Sequence, residues 1–121
     1  GPMPDPRDRS DYQIAIAKYG EALDVAGERL HAKAEAVWAN ATEGNQPDPE
    51  ATTGLYAAGF QVIDSVKSAV EAFHDLGGTS ALYEASPIEK RMRDLRAMLR
   101  HIVAQPMMRA DVAGCSATAV S

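Results

Sequence analysis

The sequence predicts an all-α protein, an antiparallel bundle of three long helices and one short one. Three observations carry that expectation. Alanine is abundant, β-branched residues are modest in number and aromatics make up 6% of the chain, a balance that favours helices with closely approaching backbones over sheet. Apolar residues recur in steps of three and four along two long stretches, the period of a helix face. Prolines at 49, 87 and 106 fall where helices would begin or stop.

The first residues justify no element. Gly1-Pro2 reads as the scar of a cleaved tag, with Met3 as the natural start, and residues 1–10 form a disordered lead-in with prolines, charges and nothing to bury. From Asp11 to about Asn40, Tyr12, Ile16, Tyr19, Leu23, Ala26, Leu30, Ala34 and Val37 form one apolar seam. That is a helix of about eight turns, roughly 44 Å long. Its other faces carry Lys18, Glu21, Asp24, Glu28, Lys33 and Glu35. Gly20 and Gly27 sit seven residues apart inside it; each costs about 1 kcal/mol relative to alanine, which close packing against a neighbour or a ligand would justify.

The run from Thr42 to Pro49 is dense in turn formers and ends this helix. Asp48 followed by Pro49 is a cap and a first-turn proline, the start of a second helix. Its seam is Leu55, Gly59, Val62, Val66, Ala69, Phe73 and Leu76, and Tyr56, Phe60, Ile63 and Val70 widen the apolar face. A wider face predicts a helix more buried than the first. It also exceeds what three helices cover comfortably, so a homo-oligomer is expected. Gly77-Gly78 stops the helix.

Residues Thr79 to Ala85 have room for one or two helical turns. Ser86-Pro87-Ile88-Glu89 then combines a capping serine, a first-turn proline and a reciprocal glutamate. The third long helix follows through Ile88, Met92, Leu95, Leu99 and Ile102 to Ala104, ending at Gln105-Pro106. The bundle domain thus occupies residues 11–108, and residues 109–121 are expected to be a flexible tail.

At 121 residues one domain is expected, long enough to fold without disulfides, and the lone Cys115 cannot form an internal bridge. No apolar run approaches the roughly 18 residues of a membrane span, and no signal peptide is apparent, so a reducing cytoplasmic location is the default expectation. The formal charge of −5 argues against nucleic-acid binding. It is unevenly spread: Lys90, Arg91, Arg93, Arg96 and Arg100 against Glu89 and Asp94 give a local +3 and leave −8 for the rest.

Chemistry-bearing patterns are sparse. Phosphate-cradling glycine loops, HExxH and cysteine pairs are all absent, so no metal site is expected. His31 falls on the charged side of the first helix, and His74 complements the end of the second. His101 shares a face with Asp94 and Met98 at the edge of an apolar seam, half in and half out. Arg93, Arg96 and Arg100 form a basic stripe; spacing leaves open whether it is a solvated face balanced by Glu89 and Asp94 or an anion site for a phosphate, coenzyme A or flavin tail.

The stretch from Gly77 to Pro106 resembles the C-terminal helical domain of the acyl-CoA dehydrogenase superfamily, and more narrowly its two-component flavin-dependent monooxygenase branch. The matching features are Gly77-Gly78-Thr79-Ser80-Ala81, the Ser86-Pro87 helix start, Arg93-Asp94, and His101 followed by Gln105-Pro106. The earlier helices match more loosely, from about Asp11. The resemblance implies a bundle that assembles into dimers or tetramers, with a flavin (FAD or FMN) bound only together with a partner or oligomer. It implies that Gly77, Gly78, Thr79 and Ser80 approach the flavin, that Arg93 supports the cofactor side or the subunit contact, and that His101 faces flavin and substrate. N-terminal and central β-domains are not in this sequence, which implies a subunit completing the pocket of a split oxidoreductase alongside a larger flavoprotein. Two other functions stay open: a bundle reused alone as a small-molecule binder or cofactor-independent enzyme of cyclase or isomerase type, with His101, Asp94 and Tyr83 around its pocket, and a non-catalytic oligomerisation module.

Overall fold

The computed structural model describes residues 10–77 and 86–105. They form three helices: α1 (Ser10–Thr42), α2 (Pro49–Gly77) and α3 (Ser86–Val103). All three long helices of the sequence reading are present, and no strand occurs among the described residues. The expected short helix, residues 1–9 of the lead-in and the tail lie outside the described residues; Ser10, placed in the lead-in, begins α1.

The turn between α1 and α2 is knitted by its own polar groups. Gly44 takes φ +77°, the left-handed conformation that ends many helices, and its backbone N–H donates to the Ala41 carbonyl at 3.0 Å. The Asn45 N–H donates to the Asn40 carbonyl at 3.2 Å, while the Asn40 side-chain amide donates to the Gln46 carbonyl at 2.9 Å. Asp48 then caps α2 as its position before Pro49 predicts: its carboxylate accepts from the Glu50 N–H at 3.0 Å.

Contacts along the helices set the topology. Tyr12 near the start of α1 meets Phe73 near the end of α2, their ring centroids 5.6 Å apart and planes at 80°. Further along, Arg29 donates to Gln61, so α1 and α2 run antiparallel. Asp24 meets Arg91, Gly27 faces Leu95 and Trp38 meets His101; α3 therefore runs parallel to α1, up, down and up. It rests mainly on α1 and touches α2 lightly.

The core is the expected seam. Tyr12, Leu23, Ala26, Leu30 and Ala34 from α1 pack with Leu55, Ala58, Val62, Ala69 and Phe73 from α2 and Ile88, Met92, Leu95 and Ile102 from α3. The two α1 glycines are used as their cost suggests. A Cβ on Gly27 would sit 2.7 Å from Leu95 Cδ2, and one on Gly20 would press on the Arg91 guanidinium, with Ile88 Cδ1 3.4 Å away.

The widened apolar face of α2 is not covered throughout. α2 leaves a smaller share of its residues exposed than α1 does, yet Tyr56, Phe60 and Ile63, which widen that face, are 37%, 66% and 50% exposed. Among the described residues two helices are available to cover α2, and α3 leans on α1, so this flank stays largely open to solvent, with Phe60 lining a groove beside Tyr19, Ala22 and Arg29 of α1. Among the described residues no helix is long and apolar enough to cross a membrane.

Candidate functional site

His101 lies in the last turn of α3 and is more exposed than a half-buried boundary residue. Its ring packs edge to face on Trp38 of α1, with centroids 6.4 Å apart and planes at 82°. Gln105, one turn on, places its side-chain amide nitrogen 3.2 Å from His101 Nε2 and 3.2 Å from the His101 carbonyl. With the amide donating to Nε2, the neutral ring carries its own proton on Nδ1. Trp38 Nε1 is buried and has no hydrogen-bond partner among the described residues, an unmet donor beside the imidazole.

Trp38 was not marked by the sequence reading. A signal exists: Gly20, Gly27 and Trp38 are seven and eleven residues apart, which puts the indole on the side of α1 that receives α3.

Asp94 does not join this cluster. It lines a groove of about 240 Å³ between α1 and α3 with Leu23, Asp24, Glu28, Arg91 and Met98. There Arg91 Nε reaches Asp24 Oδ1 at 3.1 Å across an exposed surface. The shared face of Asp94, Met98 and His101 thus splits: Trp38 engages the histidine, while the other two turn to the groove. Arg93 is exposed, with Glu89 at 3.6 Å; that is the solvated, balanced arrangement for this one arginine. His31 is also exposed and pairs with Glu35 at 3.6 Å. His74 is in the last turn of α2, as expected.

Gly77 ends α2 and is exposed. Gly78, Thr79, Ser80, Ala81 and Tyr83 lie outside the described residues. Gly77 is four residues beyond Phe73, which meets Tyr12, whereas His101 meets Trp38 at the other end of α1. At a helical rise of about 1.5 Å per residue those ends are roughly 40 Å apart. Within one chain the glycine and the histidine do not address one small-molecule pocket. Nor do the described residues contain a cluster of three or more His, Cys, Asp or Glu able to hold a metal.

The described helices form a three-helix bundle with an open polar corner where α1 and α3 end. Its kind is definite: residues 4–106 match the family described as "Acyl-CoA dehydrogenase, C-terminal domain", and the chain belongs to that family. Comparison with curated proteins and with solved structures returns no match.

Proposed function

We propose that this bundle is a component of an acyl-CoA dehydrogenase-type or flavin monooxygenase-type oxidoreductase, in which it completes a flavin and substrate pocket whose other walls come from a larger flavoprotein subunit. Family membership supports the class. The observation that carries the reading is the Trp38–His101–Gln105 corner, where an exposed imidazole is backed by the indole and its N–H is directed by a fixed partner. Such a donor suits a flat heteroaromatic edge or a substrate oxygen.

That fit is partial, and the partition of roles follows from it. His101 would hold one edge of the bound group, with Trp38 backing the imidazole and Gln105 fixing the tautomer. The flavin, when bound, supplies redox chemistry that no side chain here carries. Gly77 and the residues after it would meet a second flavin edge only from another copy or subunit, given the axial separation. Packing of the apolar partner wall would exclude water from the imidazole.

The test is to mix the full chain with a larger flavoprotein of this superfamily from the same genomic neighbourhood and follow flavin absorbance through gel filtration. Co-elution, with turnover reduced about 10²-fold or more in His101→Ala, is the expected result. Failure of every such flavoprotein to bind the chain overturns it.

The same corner also supports a second reading, in which the bundle acts alone on a small molecule at His101. Turnover by the isolated chain that His101→Ala leaves unchanged would remove that reading.

A further inference from the structure

A groove of about 540 Å³ runs between α1 and α2, and no residue of α3 lines it. It lies on the side of the bundle away from α3, because Gly20, Asp24 and Gly27, which meet α3, stand on the other side of α1 from Ala22 and Arg29. Small side chains open the recess, Ala22 from α1 and Ser65 and Ser68 from α2. Tyr19 stands toward one end, where α1 meets Phe73, and Phe60 toward the other, next to Gln61. From Tyr19 to Arg29 the groove extends about 15 Å along α1.

Two cations are held at the Phe60 end. Arg29 Nη1 donates to Gln61 Oε1 across the groove. Lys33, one turn further along α1, lies against Gly54 of α2: a Cβ there would be 3.6 Å from Lys33 Cδ and 3.8 Å from Nζ. The bare backbone at Gly54 lets the lysine stem lie down on α2. Among the described residues no carboxylate pairs with Arg29 or Lys33. Asp64 lines the groove one turn from Gln61 toward Tyr19, and no described cation pairs with it. Two cations against one carboxylate leave the groove with a net positive charge of one. The Phe60 ring beside them is 66% exposed.

The geometry points to this groove as a binding site for a small aromatic monocarboxylate, with its carboxylate on Arg29 and Lys33 and its ring against Phe60. Gln61 occupies one guanidinium nitrogen and fixes the fork, which leaves the other N–H groups for the anion. A phosphate ester would meet the same cations, but its nearly double charge is opposed by Asp64. The volume falls within the range of small-molecule sites, about 300–1,000 Å³. A partner helix fits less well, since rings stand toward both ends of a recess only about 15 Å long. His101 and Trp38 lie where α1 meets α3, so this inference goes beyond the flavin reading and stands without it.

The test is titration of the full chain with naphthoate, followed by its fluorescence and by amide chemical shifts. Saturable binding is expected, with the shifts grouped at Arg29, Gln61 and Ser65. Arg29→Gln with Lys33→Gln alters two exposed side chains and is expected to weaken binding at least about tenfold. Phe60→Ala is expected to weaken it about threefold or more. Naphthalenemethanol, which lacks the charge, and naphthyl phosphate, which carries nearly a second one, are each expected to bind more weakly than naphthoate. Lys90→Gln removes an exposed cation of α3 and is expected to leave binding unchanged. Circular dichroism checks that each variant is helical; if the double variant is not, Phe60→Ala and the three ligands carry the test. No saturation by about 10 mM naphthoate, an equal loss in Lys90→Gln, or shifts centred on α3 or His101 overturns the proposal. So does tighter binding of the phosphate, or an acidic helical peptide that occupies the groove when naphthoate does not.

Discussion

The imidazole of His101 and the indole of Trp38 meet edge to face at 6.4 Å, and they join the ends of the two helices that run parallel. Trp38 is the only tryptophan in the chain, so its fluorescence reports on this one contact. Removing the ring in His101→Ala should shift the emission to longer wavelength as water reaches the indole. His101→Phe keeps an aromatic ring against the indole and should leave the emission near that of the wild type; an emission indifferent to His101→Ala would show that the contact does not shield Trp38.

Phe73 should be the most costly single truncation. It is fully buried, with Tyr12 at 5.6 Å and Tyr19 at 6.3 Å between ring centroids. Removing the ring leaves a cavity between α1 and α2, and Phe73→Ala is expected to cost about 3–5 kcal/mol by urea denaturation. Loss below about 1 kcal/mol would mean that the end of the hairpin collapses freely onto the vacated space.

The glycines divide by what a side chain would meet. A Cβ on Gly59 would lie 3.5 Å from Leu99 Cδ1, an ordinary contact, so Gly59→Ala should raise stability by about 0.5–1 kcal/mol through helix propensity and a less free unfolded chain. At Gly27 the same atom would be 2.7 Å from Leu95 Cδ2. Gly27→Leu should therefore cost about 1–3 kcal/mol as α3 is pushed off α1. Thermal melts of the two variants must move in opposite directions.

Asp48→Ala removes the carboxylate that accepts from the Glu50 N–H and should cost about 1 kcal/mol. By contrast Asp24→Asn, which breaks an exposed pair with Arg91, should change stability by less than about 1 kcal/mol. A larger effect at Asp24 than at Asp48 would show that the groove between α1 and α3 is held electrostatically.

The three long helices could be read from the chain because each is marked locally. Asp48-Pro49 and Ser86-Pro87 name their starts, and the three-and-four spacing names the buried face. Gly20 and Gly27 even indicated the side on which a neighbour comes close. What spacing could not give is which helix leans on which. The wide apolar face of α2 reads as burial, yet Tyr56, Phe60 and Ile63 are exposed because coverage depends on where α3 settles. The site was legible only in part for a related reason. Residues on one helix face, such as Asp94 and His101, can be parted by what the next helix brings, and Trp38 belongs to the site through a contact distant in sequence. The distance between Gly77 and His101 likewise emerges only once the directions of α1, α2 and α3 are known.

The light touch between α3 and α2 also fixes the order in which the molecule comes apart. α1 and α2 share the long seam and a turn fastened by Asn40, Asn45 and Gly44, whereas α3 is held mainly by α1. Its amides should exchange first with solvent, as a unit, while the hairpin persists. A partner that seals the open corner at His101 would therefore gather in the loosest third of the fold, and slower exchange along α3 would mark its arrival.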